Sequence, residues 1–385
     1  MARKELRFGI IGLGLMGREF GSAAARWCHL LDLDYIPRVT GICDTNAALF
    51  NWWDTNFDTI KVRTGDYHAL LASDEVDAIY CAVPHNLHQQ VYTDILRAGK
   101  HLLGEKPFGI DQAANTAILT EIAAHPDLVV ACSSEFPFLP GAQRVVRAIN
   151  ENRFGQIIEV HASLLHSSDL DPNKKINWKR MVALNGEYGC MGDLGMHPLH
   201  IPLRAGWMPA NVRALLSNIV KERPNAEGKL VPCETWDNAT LSCEVQTAEQ
   251  RFPMFIQTHR ISPGDTNTWS IRILGTQFSI DFSTKYPKTL RTLEYTSGGE
   301  QSWRHLDLGY ETAYPTITGG IFEFGFSDSM LQMWAAFCDE LTHGRAAMRQ
   351  PFYCATPHET ALHHRVLAAA LESGKTGQTV ALQGT

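Results

Sequence analysis

An apolar run, Phe8-Gly9-Ile10-Ile11, leads without a spacer into Gly12-Leu13-Gly14-Leu15-Met16-Gly17, and a helix-compatible segment follows. This stretch constrains the fold more than any other, because G-x-G-x-x-G carries physical meaning where a strand ends and a helix begins. Gly12 is expected to make the tight turn, Gly14 to admit a pyrophosphate to the backbone, and Gly17 to let helix and strand pack closely. The helix start at Leu15, Met16 and Gly17 then offers free N–H groups and a positive dipole end to the phosphates. A dinucleotide site is the expectation.

Such a domain occupies only part of a chain of 385 residues, so a second domain is expected. Hydrophobic residues at 44% and charged residues at 19% describe a globular chain. A formal net charge of −7 provides no basic field for nucleic acid or anionic lipid. No apolar stretch approaches the length of a membrane span, and Met1-Ala2-Arg3-Lys4-Glu5 runs straight into the first strand without room for a signal peptide. The nine cysteines are scattered with no C-x-x-C pair, which points to reduced thiols in the cytoplasm, with no disulfide framework and no metal site.

Arg18 to Cys28 reads as the first helix, a loop ends in Pro37, and a strand from Val39 to Cys43 is closed by Asp44. The dinucleotide pattern asks for an acidic residue at that strand end, to bind the adenosine ribose hydroxyls. Asp32 and Asp34 fit the usual spacing of about 20 residues better, but they precede Pro37, which a strand interior excludes. Asp44 is therefore the expected ribose ligand, with residues 29–38 an insertion. Its carboxylate repels a 2′-phosphate, and Thr45 and Asn46 bring no cation, so NAD is expected over NADP.

The strand Val76–Val83 ends in Pro84-His85-Asn86-Leu87-His88. In a parallel sheet ligands gather beyond the carboxyl ends of the strands, which sets Pro84, His85, Asn86 and His88 beside the cofactor. An ordinary strand-to-helix turn would favour the same Pro and Asn. Residues 99–108 bring another strand to Glu105-Lys106-Pro107, with Asp111 as the next helix cap. Glu105 and Lys106 then border the cofactor, and the Lys106 ammonium can favour an alkoxide developing on a substrate hydroxyl.

Gly12 to Gly17, Pro84 with His88, and Glu105-Lys106-Pro107 together resemble the glucose–fructose oxidoreductase / inositol dehydrogenase (Gfo/Idh/MocA) family. The resemblance implies an α/β fold: an N-terminal Rossmann domain with a doubly wound parallel sheet, then a C-terminal α/β domain whose open, mostly antiparallel sheet covers the nicotinamide. The division is expected at 133/134, where Ala131-Cys132-Ser133-Ser134-Glu135 gives way to a Pro-punctuated turn, with the C-terminal helices free to pack back on the first domain. Assembly through the open sheet face, as a dimer or tetramer, is likewise implied by the resemblance.

Beyond Pro140–Asn152, an amphipathic helix, the apolar period shifts toward two. Ile157–Leu165, Val212–Ile219, Ala239–Val245, Met254–Thr258, Trp269–Leu274 and Phe278–Phe282 are expected strands, with loops at 221–232 and 261–268. Ser329–Thr342 and Glu359–Ser373 are expected helices.

The chemistry of this half lies in Gly189-Cys190-Met191-Gly192-Asp193-Leu194-Gly195-Met196-His197-Pro198-Leu199-His200. Asp193 and His197 share a face if the segment is helical, and a carboxylate there raises the basicity of the imidazole. Pro198 disfavours a helical His197, so the pair also fits a turn. The resemblance makes Lys106, Asp193 and His197 the catalytic set, because family members carry Asp-x-x-x-His here. His200 departs from the family, which commonly has Asp at that place. Trp178-Lys179-Arg180 is similar to a Trp-Arg element that some members place against cofactor and substrate, though solvated surface bases read the same way. Glu135, His166, Tyr188, His259 and Arg260, with Trp178 and Arg180, complete the substrate-binding candidates.

The resulting expectation is an NAD-dependent oxidoreductase acting on a carbinol of a sugar, sugar derivative or cyclitol, with a small carbohydrate as its partner. A glycoside hydrolase that oxidises its sugar transiently would use the same residues. A non-catalytic dinucleotide-binding regulator is disfavoured by the intact Lys106, Asp193 and His197.

Overall fold

A computed structural model describes residues 3–309, 312–319, 321–322 and 324–382. Met1 and Ala2, where the expectation of no signal peptide falls, and 383–385, the end of the expected second domain, lie outside the described residues. The chain forms two compact units. The first contains Met1–Gly109, Ala113–Phe138 and Tyr310–Pro357; the second contains Ile110–Gln112, Leu139–Gly309 and His358–Thr385. Apart from the excursion at Ile110–Gln112, the chain leaves the first unit after Phe138, returns to it for 310–357 and leaves again after Pro357.

The first unit holds a parallel sheet of β1 (Lys4–Ile11), β2 (Tyr35–Cys43), β3 (Val62–Thr64), β4 (Ala78–Cys81), β5 (His101–Gly104) and β6 (Val130–Cys132), in the order β3-β2-β1-β4-β5-β6. Every pair is parallel. Phe8, Ile10, Ile79, Leu102 and Leu103 are fully buried, as strands covered on both faces require. Order reverses between β1 and β4, and ligands of doubly wound sheets bind at such a switch point.

Pro37 lies inside β2, opposite Leu6 of β1, so the expected loop through it is in fact strand. On its other edge β2 meets β3 only at Gly41–Cys43, so Pro37 has no ladder there to which a missing N–H would matter. The expected insertion shrinks accordingly: Trp27–His29 is a short 3-10 turn and β2 starts at Tyr35.

Aromatic packing joins the Phe326–His343 helix to the sheet. Phe20, from the Leu15–Ala25 helix, stacks on Tyr80 with centroids 3.9 Å apart, and Trp334 stands edge-on to Phe8 at 5.2 Å. The Tyr35 hydroxyl donates to the Ala335 carbonyl at 3.2 Å, and the Trp27 indole donates to the Tyr35 carbonyl at 3.1 Å. This is why a late helix belongs to the first unit: its buried face answers apolar surface made by β1, β2 and the first helix.

In the second unit the Pro140–Asn150 helix opens with Pro at its first turn, where no N–H is missed. Its strands are β7 (Ile157–Leu165), β8 (Pro209–Ser217), β9 (Glu222–Pro224), β10 (Leu230–Pro232), β11 (Asn238–Gln246), β12 (Arg251–His259), β13 (Thr268–Gly275), β14 (Phe278–Ser283), β15 (Thr289–Glu294), β16 (Arg304–Asp307) and β17 (Val380–Ala381). Nine of them form one sheet in the order β16-β15-β14-β13-β7-β12-β11-β8-β17. Only the β7–β12 pair is parallel, so the sheet is mostly antiparallel. Along β11 and β12 buried and more exposed residues alternate, giving one covered and one open face. β9 and β10 pair as a hairpin within 221–232, where the sequence predicts a loop. That ladder is only three residues long, too short to leave a period-two signal. No helix of the described residues is long and apolar enough to cross a membrane.

Trp334→Ala is expected to remove about 3–5 kcal/mol of stability, with Trp334→Phe retaining most of it. Urea unfolding followed by circular dichroism checks this, and an Ala variant as stable as wild type would overturn the aromatic account.

Candidate functional site

The first unit concentrates its chemistry at the carboxyl ends of its strands. Gly12 follows β1 with φ +94°, and its amide donates to the Cys43 carbonyl at 3.0 Å. A Cβ at Gly12 would lie 2.5 Å from the Ala82 carbonyl oxygen, and one at Gly17 would run into the Gly12 carbonyl. Both glycines are therefore demanded by the fold. Gly14 differs: its backbone is extended (φ −69°, ψ −154°), and no protein atom lies within 4 Å of the Cβ position. Space kept open there, at the start of the Leu15–Ala25 helix, is the cradle a pyrophosphate needs. Leu15 is exposed and Met16 half-buried beside it.

Asp44 stands at the end of β2, where its carboxylate accepts from the Leu13 amide at 2.8 Å and from the Asn46 amide at 2.8 Å. The glycine turn is thus tied to the next strand end. Asp34 is engaged elsewhere, by His343 at 3.2 Å and Arg349 at 2.9 Å, and the Asp32 carbonyl accepts from Arg349.

Pro84 leads into a 3-10 turn, His85–Leu87, on which Asn86 is exposed and His85 buried. His88 is fully buried. Its Nδ1 accepts from the Gly109 amide at 3.3 Å, which leaves Nε2 to donate to the Val83 carbonyl at 3.1 Å, and its ring stacks on Tyr92 at 4.7 Å. His88 braces two loops from behind.

The Glu105 amide donates to the Cys81 carbonyl at 3.0 Å, the Tyr80 hydroxyl donates to Oε1 of Glu105 at 2.7 Å, and the Tyr92 hydroxyl donates to its carbonyl at 2.9 Å. Lys106 follows, half-buried, before a cis Pro107. Glu135, past the end of β6, is buried with this group. Burial and then the Glu105 charge push the Glu135 carboxyl up to about 8, against the opposing pull of Lys106.

In the second unit, Cys190–Leu194 and Met196–Arg204 are helical, with Gly195 between them at φ −67°. Asp193 and His197 therefore lie on successive helical segments. Pro198 is tolerated because it falls in the first turn of the second segment, where its N–H would have no intrahelical partner. Gly195 is required by space, since a Cβ would crowd the Met191 carbonyl and His363. His197 is buried, and its carbonyl accepts from the Trp269 indole at 3.0 Å.

Asp193 is 1% exposed and is held by two cations: Lys179 Nζ at 3.1 Å and the Arg260 guanidinium. The 3-10 turn Trp178–Arg180 sends its two bases to different places. Arg180 is wholly buried and its Nη2 meets Asp237 Oδ1 at 2.6 Å, so it is a core residue rather than a solvated base. Asp169 lies behind Arg260; burial pushes its carboxyl up, but Arg260 and Lys174 overcome that and hold it below the usual range. Tyr188 is buried, and desolvation and Asp111 push its phenol up. His200 is pushed down to about 3 by burial and Arg204, near Glu359 at 3.9 Å. The His166 amide donates to the His259 carbonyl at 2.7 Å. By strand alternation the His259 side chain falls on the face opposite Thr258, and its Nε2 pairs with Thr240 at 3.3 Å. The structure thus gathers Lys179, Asp193 and Arg260, and sets His259 apart. Asp169 and Asp237 escape sequence reading, because nothing in their spacing marks them as partners of buried arginines.

Residues 6–134 match the family described as "Oxidoreductase family, NAD-binding Rossmann fold", Gfo/Idh/MocA. The chain is similar to levoglucosan dehydrogenase of Pseudarthrobacter phenanthrenivorans, 24% identical over 226 residues, 58% of this chain and 57% of that one. It is also similar to a dTDP-3,4-didehydro-2,6-dideoxy-alpha-D-glucose 3-reductase of Streptomyces violaceoruber, 32% identical over 35% of this chain and 37% of that one. The matched region thus spans little more than half of the first relative and less of the second. In three dimensions, a levoglucosan dehydrogenase in complex with NADH and levoglucosan superimposes with TM-score 0.86 at 20% identity, covering 99% of this chain and 100% of that one. An inositol dehydrogenase homolog from Azotobacter vinelandii, complexed with NADH and myo-inositol, gives 0.78 at 17% over 99% of each chain. At these identities the superpositions establish the fold.

Gly14→Val is expected to leave the melting temperature unchanged and to weaken NAD binding by at least about tenfold, read by calorimetric titration. A valine variant that binds NAD normally would refute the cradle. Because the Glu135 pKa is raised, its stabilising contribution is complete below the ordinary value of 4.5 and is lost as pH rises toward about 8. Urea midpoints measured across that window should fall more steeply for wild type than for Glu135→Gln.

Proposed function

We propose that this chain, whose nucleotide-binding segment belongs to the Gfo/Idh/MocA family of NAD-binding oxidoreductases, oxidises a secondary hydroxyl of a sugar, sugar derivative or cyclitol. The observation that carries this reading is Lys106: a cation at the carboxyl end of β5, on the same sheet edge as the glycine turn, with the buried carboxyl groups of Glu105 and Glu135 beside it. NAD, held at the Gly12–Gly17 turn, would supply the hydride acceptor. Lys106 donates to the hydroxyl oxygen and favours the charge that develops on it. His197 takes the hydroxyl proton, and its backbone is pinned by Trp269 so that the imidazole has a fixed origin. Asp193 keeps its negative charge because two cations hold it, and it stabilises the protonated imidazole.

The named activities of levoglucosan dehydrogenase and of the inositol dehydrogenase homolog support a cyclic polyol as substrate class. Asp44 favours NAD over NADP, because both its oxygens already accept backbone N–H groups and no cation follows it in Thr45 or Asn46.

Lys106→Ala and His197→Ala should each lower kcat by about 10²–10⁴ while NAD still binds. NADH absorbance with a panel of polyols and glycosides is the measurement. Near-normal turnover in either variant would sink the assignment. Release of an aryl aglycone with only catalytic NAD would replace net oxidation by glycoside cleavage.

A further inference from the structure

The geometry points to a second binding site in the second unit, beside the Thr247–Gln250 turn, for a neutral polyhydroxylated ring of monosaccharide size. The site stands apart from the oxidation proposed above. The turn joins β11 to β12, and β12 runs nine residues, Arg251–His259, before the chain reaches Arg260. At about 3.3 Å per residue, that strand alone puts roughly 26 Å between the turn and the cations around Asp193.

A cavity of about 410 Å³ opens beside the turn, where the end of the Pro140–Asn150 helix, the start of β7 and the end of the Met196–Arg204 helix converge. Small-molecule pockets hold about 300–1,000 Å³, so a single sugar or cyclitol ring fits. The floor is apolar: Phe154, Ile157 and Trp207 are all buried. It is also rigid. Trp207 stands edge-on to Phe252 with centroids 5.6 Å apart, and its amide donates to the Pro202 carbonyl at 2.9 Å. Such a floor receives the C–H face of a pyranose or cyclitol.

The rim is polar and held in place. Asn152 has φ +51°, the left-handed conformation that asparagine tolerates better than most residues, and its amide donates to the Ile149 carbonyl at 3.0 Å. Gln250 Oε1 accepts from the Ile157 amide at 2.7 Å, which leaves the NH2 group of that side chain as a donor. Thr247 Oγ1 accepts from the Glu249 and Gln250 amides at 3.3 and 3.1 Å, so the turn that carries Glu249 is braced. The side chains of Asn152 and Glu249 are exposed, and among the described residues neither meets a protein partner. Two carboxamides and a carboxylate thus border an apolar floor. A hydroxyl is at once donor and acceptor, and a rim holding both kinds answers a ring of hydroxyls. Its bond to the carboxylate is the stronger, charge-assisted kind.

Charge decides between hydroxylated ligands. Among the described residues that line the cavity Glu249 is the one ionised group. The neighbouring bases are drawn elsewhere: Arg153 to Glu294 at 2.8 Å and over the Phe278 ring, Arg251 to Glu244. A phosphorylated or carboxylated sugar is therefore repelled where the neutral sugar is accepted.

The test uses the full chain labelled with fluorotryptophan, without NAD so that no turnover occurs. The Trp207 fluorine signal is assigned from Trp207→Phe. Titration with D-glucose or myo-inositol should move that signal saturably, with a dissociation constant of about 1–10 mM. D-Glucose 6-phosphate should bind at least about tenfold more weakly. The double variant Asn152→Ala with Glu249→Ala, changed at two exposed positions, should keep the wild-type melting temperature and lose at least about tenfold in affinity. Glu249→Gln alone should narrow the gap between D-glucose and its phosphate. Absence of a saturable shift with both polyols would overturn the inference, as would a phosphate that binds as tightly as D-glucose. A shift unchanged in the double variant arises at another place, the candidate catalytic site included, and would overturn it too. A chain that binds polyol here yet forms no NADH would keep this site and lose only the oxidation.

Discussion

A guanidinium can sit in a protein interior only where its charge is answered, and the second unit is arranged around that requirement. Arg180 is answered by Asp237, whose Oδ2 also accepts from the Ile219 and Val220 amides. Arg223 donates to the carbonyls of Asp169 and Asp171, which draws the segment after β7 onto β9. Arg260 takes Asp193 on one side and the influence of Asp169 on the other. Removing one partner from such a set strands the other charge, at a cost of about 3–5 kcal/mol. The carboxylate of the candidate catalytic segment is thereby held in place by groups from β7's exit, the 3-10 turn and the end of β12.

The first unit meets a different constraint, one of volume. At Gly12 and Gly17 the strand, the turn and the helix approach so closely that no side chain fits. At Gly14 room is left over. The same short stretch thus records both what the fold requires and what a nucleotide requires. Around the strand ends the polar groups divide in the same way. Tyr92 and His88 are buried and hold backbone and buried Tyr80 holds the Glu105 carboxyl, whereas Lys106 and Asn86 keep access to solvent.

Much of this was legible beforehand. The glycine turn and the period-two strands β7, β11, β12, β13 and β14 carry strong local signals, and each is strand or turn in the structure. Pro37 reads as a strand breaker only where both neighbours are paired, and β2 at that position is paired with β1 alone. β9 and β10 are too short for a period to register. At the site, the letters Trp-Lys-Arg were readable but their directions were not: which base enters the core depends on Asp237, more than fifty residues away in the chain. Strand parity would have set His259 apart from Arg260, had the ends of β12 been known to a single residue.

The return of residues 310–357 to the first unit has a consequence for synthesis of the chain. When the ribosome has released the six parallel strands, the aromatic faces of Phe8 and Phe20 still lack Trp334, which arrives some two hundred residues later. The nascent first unit therefore waits with apolar surface uncovered while strands β7 to β16 of the second unit are made. Its closure waits for the Phe326–His343 helix, and chaperone demand should track that interval rather than the length of the protein.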